Sequence, residues 1–176
     1  MRLFIAIDLP PQVKQELFDL SRTLERQADA GRAIPLENFH LTLVFIGETA
    51  RLASVTEVMD AVCRARLCEP LRFALSGIGS FKGHRGHNWW VGVEAAPELE
   101  ALANSLADGL RAEGFPIERR SFRPHVTIGR NVVTSCPIEL HPPTIELASG
   151  IVSLMRSDRK NGRQVYSELH SCEVGG

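Results

Sequence analysis

Apolar and polar positions divide the chain into short segments of two different periods. Arg2–Leu9 is an apolar run closed by Pro10 and Pro11, which predicts a strand. Gln12–Ala30 sets Val13, Leu17, Leu20 and Leu24 on one side at helical spacing and stops near Gly31. Phe39–Gly47 is apolar almost throughout and predicts a second strand. Leu52–Leu67 returns to helical intervals and ends before Pro70. Leu71–Ile78 and Asn88–Val93 predict strands joined by a loop, "GSFKGHRGH". Pro97–Glu113 predicts a helix with proline near its start and Gly114 at its end. Phe122–Gly129 reads as another short strand. Ile145–Met155 and Gln164–His170 predict strands flanking "RSDRKNGR", where Asn161–Gly162 marks a turn. The order is β α β α β β α β β β. That lacks the regular alternation of a doubly wound parallel sheet, so the pattern predicts an α+β fold with antiparallel pairing.

Two of these strands carry the same polar intrusion. His40-Leu41-Thr42-Leu43 recurs as His125-Val126-Thr127-Ile128. Side chains alternate along a strand, so each histidine shares a face with its threonine. Either motif alone reads as a core histidine with satisfied hydrogen bonds beside a good strand former. Two such pairs arise by chance in roughly 2% of shuffled chains, so the echo argues for a duplicated unit.

Length allows one ordinary domain with a real core, and two small lobes also fit within 176 residues. An apolar content of 44% excludes a disordered chain. A net charge of −1 excludes the overall basic footprint of a duplex-DNA binder, while leaving room for a local basic patch. No apolar run reaches the roughly 18 residues that span a bilayer. "MRLFIAIDLPP" is a poor signal peptide, which points to the cytoplasm and away from membranes. Cys63, Cys68, Cys136 and Cys172 form no CxxC pair. Cys63 and Cys68 sit five apart on a predicted helix, and all four are expected to be reduced thiols.

Suppose the two polar strands face each other across a groove. An imidazole with an ordinary pKa of about 6.5 is neutral or charged near neutral pH, so two of them supply a general base and a general acid. The threonine hydroxyls can donate to an anion held between them. In-line displacement at a phosphodiester needs acid and base on opposite sides of phosphorus, and it needs no metal. Other readings stay open. His40 and His125 could hold a metal, although two histidines without a carboxylate or cysteine are too few for a typical zinc site. The cleft could belong to a non-catalytic RNA- or nucleotide-binding module. It could also act on another cyclic nucleotide or a 2′-5′-linked oligonucleotide.

"RLFIAIDLP", "NFHLTLVFIGE", "FRPHVTIGR" and "GRQVYSEL" span almost the whole chain. Together they resemble the two-histidine phosphoesterases, and more closely their RNA 2′,3′-cyclic phosphodiesterase branch, historically called 2′-5′ RNA ligases. The resemblance implies a single domain over residues 1–176 made of two intertwined, pseudo-symmetric lobes. Antiparallel sheets would surround a central cleft, with helices outside. It implies hydrolysis of a terminal 2′,3′-cyclic phosphate on RNA to a 2′-phosphomonoester, with no cofactor, no metal and a minor 2′-5′ ligase activity. His40 would be the proton donor, His125 the proton acceptor, and Thr42 and Thr127 the phosphate binders. The expected partner is an RNA or oligonucleotide bearing the cyclic end, met by a monomer.

Two arginines are candidate substrate contacts. Strand parity puts Arg123 on the face of His125 and Thr127, and Arg130 on the other face. The resemblance favours Arg130, and the two agree only if Gly129 bulges the strand. Lys82, His84, Arg85 and His87 read as a solvated loop or a basic flap. Of Trp89 and Trp90, one is expected in the core and one free to stack on a base. Phe122 is expected in the core. His141 and His170 have no partner legible in the sequence.

Overall fold

Antiparallel pairing sorts the strands into two sheets. The computed structural model describes residues 1–66, 71–94 and 96–174. In chain order the elements are β1 (Arg2–Asp8), α1 (Pro11–Gln27), β2 (Ala30–Ala33), β3 (His40–Glu48), α2 (Leu52–Arg64), β4 (Leu71–Gly83), β5 (Gly86–Val93), α3 (Pro97–Ala112), β6 (His125–Val133), β7 (Ile145–Ser149), β8 (Ile151–Lys160) and β9 (Arg163–Glu173). The first sheet runs β3-β1-β8-β9 and the second β2-β6-β5-β4-β7. Every pairing is antiparallel. The fold is α+β, as the segment pattern predicts.

Setting β2 aside, the two sheets follow one plan. Each motif strand, β3 or β6, pairs with a second strand, the second with a third and the third with a fourth. The motif strands meet where the sheets approach. Helices cover the outer faces. α1 buries Val13, Leu17 and Leu24, and the Ser21 hydroxyl donates to the carbonyl of Ile128 on β6. α3 buries Leu99, Leu102, Leu106 and Leu110, and packs against α2 and β3.

Several local predictions are corrected. The predicted loop over 79–88 is mostly strand. β4 and β5 continue to a turn at His84 and Arg85, with Lys82 opposite His87. Glycines at 79, 83 and 86 suggested a loop, but cross-strand pairing outweighs their weak strand propensity. The predicted strand Ile145–Met155 is cut at Gly150, and its halves join different sheets. Gly150 and Val174 pair there through the Val174 N–H and the Gly150 carbonyl, 2.7 Å apart. The end of the predicted first helix is replaced by β2, whose exposed "AGRA" carries no alternation and is held by pairing with β6.

Cys63 on α2 and Cys172 on β9 form a disulfide, which corrects the expectation of four free thiols. They lie 109 residues apart in sequence, and only the packing of α2 on β9 brings their Cα atoms to 6.4 Å. Cys136 is free and exposed. Leu67 and Cys68 lie outside the described residues, so the predicted placement of Cys68 on that helix does too. His170 has a partner after all: its Nε2 lies 2.7 Å from an Asp60 carboxylate oxygen on α2. No helix among the described residues is long and apolar enough to cross a membrane.

Candidate active site

His40 opens β3 and His125 opens β6, and the two are held alike. The Nδ1–H of His40 donates to the carbonyl of Asn38 at 2.8 Å, two residues back. The Nδ1–H of His125 donates to the carbonyl of Arg123 at 2.6 Å, again two residues back. A carbonyl only accepts, so Nδ1 carries the proton in both rings and Nε2 is left to exchange one.

The strands also bulge alike. Ala6 pairs with Thr42 but Ile5 pairs with Val44, which leaves Leu43 as the extra residue. Trp90 pairs with Thr127 but Trp89 pairs with Gly129, which leaves Ile128 extra. Residues 40–45 and 125–130 therefore share one burial sequence: two half-buried cleft positions at the histidine and threonine, two adjacent buried positions, then an exposed one. The exposed positions are Phe45 and Arg130. Both return to the face of their histidine because the bulge consumes one step of alternation.

This brings Arg130 and His125 to one face of β6. The bulge turns Arg130 onto the cleft face, and its charge bears on both His40 and His125. Gly129 turns inward, where a Cβ would lie 2.5 Å from Leu24 Cδ2 of α1. Arg123 precedes the strand, is exposed, and serves His125 through its backbone carbonyl. The guanidinium charges that act on His125 are those of Arg120 and Arg130. Arg120, which is paired with Glu118 at 3.3 Å, carried no signal in the sequence.

Aromatic rings wall both histidines. The His40 ring lies 4.8 Å from Phe4 and 5.1 Å from Tyr166, measured between centroids. Phe4 in turn lies 6.0 Å from Phe45, which is 52% exposed. The His125 ring lies 5.2 Å from Phe81 and 6.0 Å from Trp90. Trp90 lies over Gly79, where a Cβ would come within 2.2 Å of its Cζ2. So Trp90 lines the cleft and Trp89 packs on the core, as does Phe122. Phe45 was missed in the sequence reading, although it stands 85 residues before Arg130, the spacing of the two histidines.

Burial pushes the His40 ring down to about 4, with Arg130 and Lys14 adding to the effect and the Asn38 carbonyl and Asp8 opposing it. Burial also lowers His125, as do Arg120 and Arg130, against the Arg123 carbonyl. Both rings are thus neutral in the free protein near pH 7. Among the described residues no group of three or more His, Cys, Asp or Glu side chains is placed to hold a metal ion.

Residues 9–159 match the model of the 2'-5' RNA ligase superfamily. The chain belongs to that family. A protein of Thermotoga maritima named RNA 2',3'-cyclic phosphodiesterase is 30% identical over an alignment of 190 residues, covering 100% of this chain and 97% of the relative. An Escherichia coli K12 protein of the same name is 29% identical, covering 96% and 93%. Among solved structures, a protein of Thermus thermophilus superposes with a TM-score of 0.85 at 26% identity, covering 100% and 99%. E. coli LigT complexed with 3'-AMP superposes with a TM-score of 0.80 at 26% identity, covering 99% and 98%. The two-lobed arrangement of antiparallel sheets is therefore that of this family.

Proposed function

We propose that this chain hydrolyses the terminal 2′,3′-cyclic phosphate of RNA to a 2′-phosphomonoester, without a metal. The observation that carries the proposal is the matched pair of imidazoles, each with Nδ1–H tied to a carbonyl, on strands that meet, with the Arg130 charge acting on both. The names of the relatives support the same substrate.

His125 Nε2 takes a proton from water, and the water oxygen attacks phosphorus in line. The P–O3′ bond breaks, and His40 Nε2–H gives its proton to O3′. The products are a 2′-phosphate and a free 3′-hydroxyl. Thr42, Thr127 and Arg130 hold the non-bridging oxygens. Phe45, exposed beside them, offers a face on which the terminal base stacks.

A donor must be protonated, whereas His40 is neutral in the free protein. The substrate itself makes up the difference. A phosphodiester anion about 4 Å from a charged ring stabilises it by about 4 kcal/mol at an effective dielectric near 20, enough to offset the burial. A bound RNA 5′-hydroxyl in place of water would give a 2′-5′ linkage. Water at about 55 M keeps that reaction minor, though microscopic reversibility allows it.

The unit that does this is one domain over 1–176, with interleaved lobes, acting as a cytoplasmic monomer.

The test is an RNA ending in 2′,3′-cyclic phosphate, incubated with and without EDTA, with the product terminus mapped. Turnover should survive the chelator and yield the 2′-phosphate. His40→Ala and His125→Ala should each lose about 10²–10⁴ in rate while keeping the fold. A 3′-phosphate product would reverse the leaving group. Either alanine variant retaining near-native turnover would sink the proposal. Turnover only of free cyclic nucleotides or 2′-5′-linked oligonucleotides would move the substrate elsewhere.

A further inference from the structure

The β8–β9 hairpin is more than the edge of the first sheet. Its β9 strand also touches the start of β3, beside His40. The Tyr166 ring packs edge-on against His40 at 5.1 Å and against Phe4 at 5.0 Å. The Asn38 side-chain amide donates to the Gln164 carbonyl at 2.9 Å, which ties the arm to the entry of β3. The tip beyond this tie is basic. Arg159 pairs across the hairpin with Gln164, and Lys160 with Arg163, around the Asn161–Gly162 turn. Arg159, Lys160 and Arg163 are all exposed. Among the described residues none of the three forms an ion pair, whereas Arg156 is neutralised by Asp158 at 2.7 Å. Three uncompensated cations at the lip of the cleft stand out in a chain of net charge −1.

We propose that this arm binds the phosphodiester backbone of the single-stranded RNA leading up to the cyclic end. The inference rests on the function proposed above. The terminal nucleotide fills the cleft, and only its 5′ side continues into more chain. Its base stacks on Phe45, which belongs to the first sheet, so the preceding nucleotides leave along that sheet toward the arm. The tip lies two to four residues beyond Tyr166, or roughly 7–13 Å at about 3.3 Å per residue. That places its charges against the phosphates next to the reacting one. Arginine and lysine at such positions hold phosphate without reading sequence, so the arm would favour RNA ends over free cyclic nucleotides whatever the base order. The β4–β5 hairpin is a second basic tip, with Lys82 and Arg85, but it rises from the second sheet, on the side of His125.

The experiment compares kcat/KM for a six-nucleotide RNA ending in 2′,3′-cyclic phosphate with that for a nucleoside 2′,3′-cyclic phosphate, across a salt series. For the native chain the hexanucleotide should be preferred at low salt. Its log kcat/KM should fall with log salt more steeply than the mononucleotide's by about 2, from about 0.7 per phosphate contact on a single strand. The triple substitution Arg159→Ser, Lys160→Ser, Arg163→Ser should lose that extra slope and cut the hexanucleotide preference at least tenfold. Arg159→Lys with Arg163→Lys keeps the charges and should keep both. Lys82→Ser with Arg85→Ser should keep both as well. A triple variant with native slope and preference would overturn the proposal. So would their loss on changing the β4–β5 tip instead. Native protein active on the mononucleotide but showing no preference for the hexanucleotide would overturn the arm while leaving the proposed reaction standing. Inactivity on both substrates would remove the reaction, and the arm's role with it.

Discussion

Arg130→Gln separates charge from shape in the cleft. The Arg130 charge lowers both imidazoles, and burial is the larger cause at each. If the two rings act as proposed, the productive free enzyme has one charged and one neutral, so its population peaks between the two titrations. Both lie below the ordinary histidine value. The kcat/KM profile, which reports the free enzyme, should therefore be a bell with its maximum below about pH 6.5. Above the bell the singly protonated form falls tenfold per pH unit. With glutamine at 130, the repulsion on each protonated ring is gone, and both limbs should move to higher pH.

On the proposed reading the same change removes donors to the phosphate. A hydrogen bond to a charged group is worth about 1.5–3 kcal/mol, so a forked guanidinium losing its charge should cost about 3 kcal/mol, near 10²-fold in kcat/KM at the optimum. Arg130→Lys keeps the charge and loses the fork. Its limbs should stay near the native positions while its rate drops. The assay is a pH series of kcat/KM for all three proteins on one cyclic-phosphate substrate. Limbs that stay fixed or move to lower pH in Arg130→Gln would refute the action of this charge on both rings. A loss under tenfold at every pH would refute its role on phosphate.

Phe45→Ala should raise KM for a base-bearing substrate by about 5- to 150-fold, the equivalent of the 1–3 kcal/mol typical of base–aromatic stacking, and Phe45→Tyr should restore most of it. Equal effects on a substrate lacking the base would assign Phe45 to packing instead. Gly79→Ala should destabilise the protein by about 1–3 kcal/mol, because the new methyl must displace the Trp90 ring. Thermal unfolding checks the stability, and an unshifted Tm would show that the indole yields freely.

The helices and both motif strands were legible because each carries its own period. α1 and α3 bury the apolar positions that helical spacing selects. What escaped the sequence is set by pairing between distant segments. β2 has four residues and no buried face, so nothing local marks it as a strand. Gly150 lies inside a segment rich in strand formers, from Ile145 to Met155, whereas the chain there passes from one sheet to the other. The bulges at Leu43 and Ile128 could not be seen either, since both residues are ordinary strand formers. Without the bulges, simple alternation placed Arg130 on the wrong face and gave no reason to single out Phe45. The Cys63–Cys172 link and the Asp60–His170 contact join α2 to β9 across more than 100 residues, beyond any spacing rule.

A cleft built from two similar lobes has to run a reaction with a direction, and the histidine–threonine pattern alone supplies none. The two motif strands share a bulge, a tautomer-fixing carbonyl and a hydroxyl. They differ at the exposed position, phenyl on one and guanidinium on the other, and in their neighbours, since Ala6 flanks Thr42 where Trp90 flanks Thr127. Burial lowers both rings, His40 to about 4, so titration of the free protein gives the pair no direction by itself. Phenyl and guanidinium set one if base stacks on one strand and phosphate leans toward the other, because the substrate then enters in a single orientation. Direction in this cleft would follow from where the pseudo-symmetry breaks.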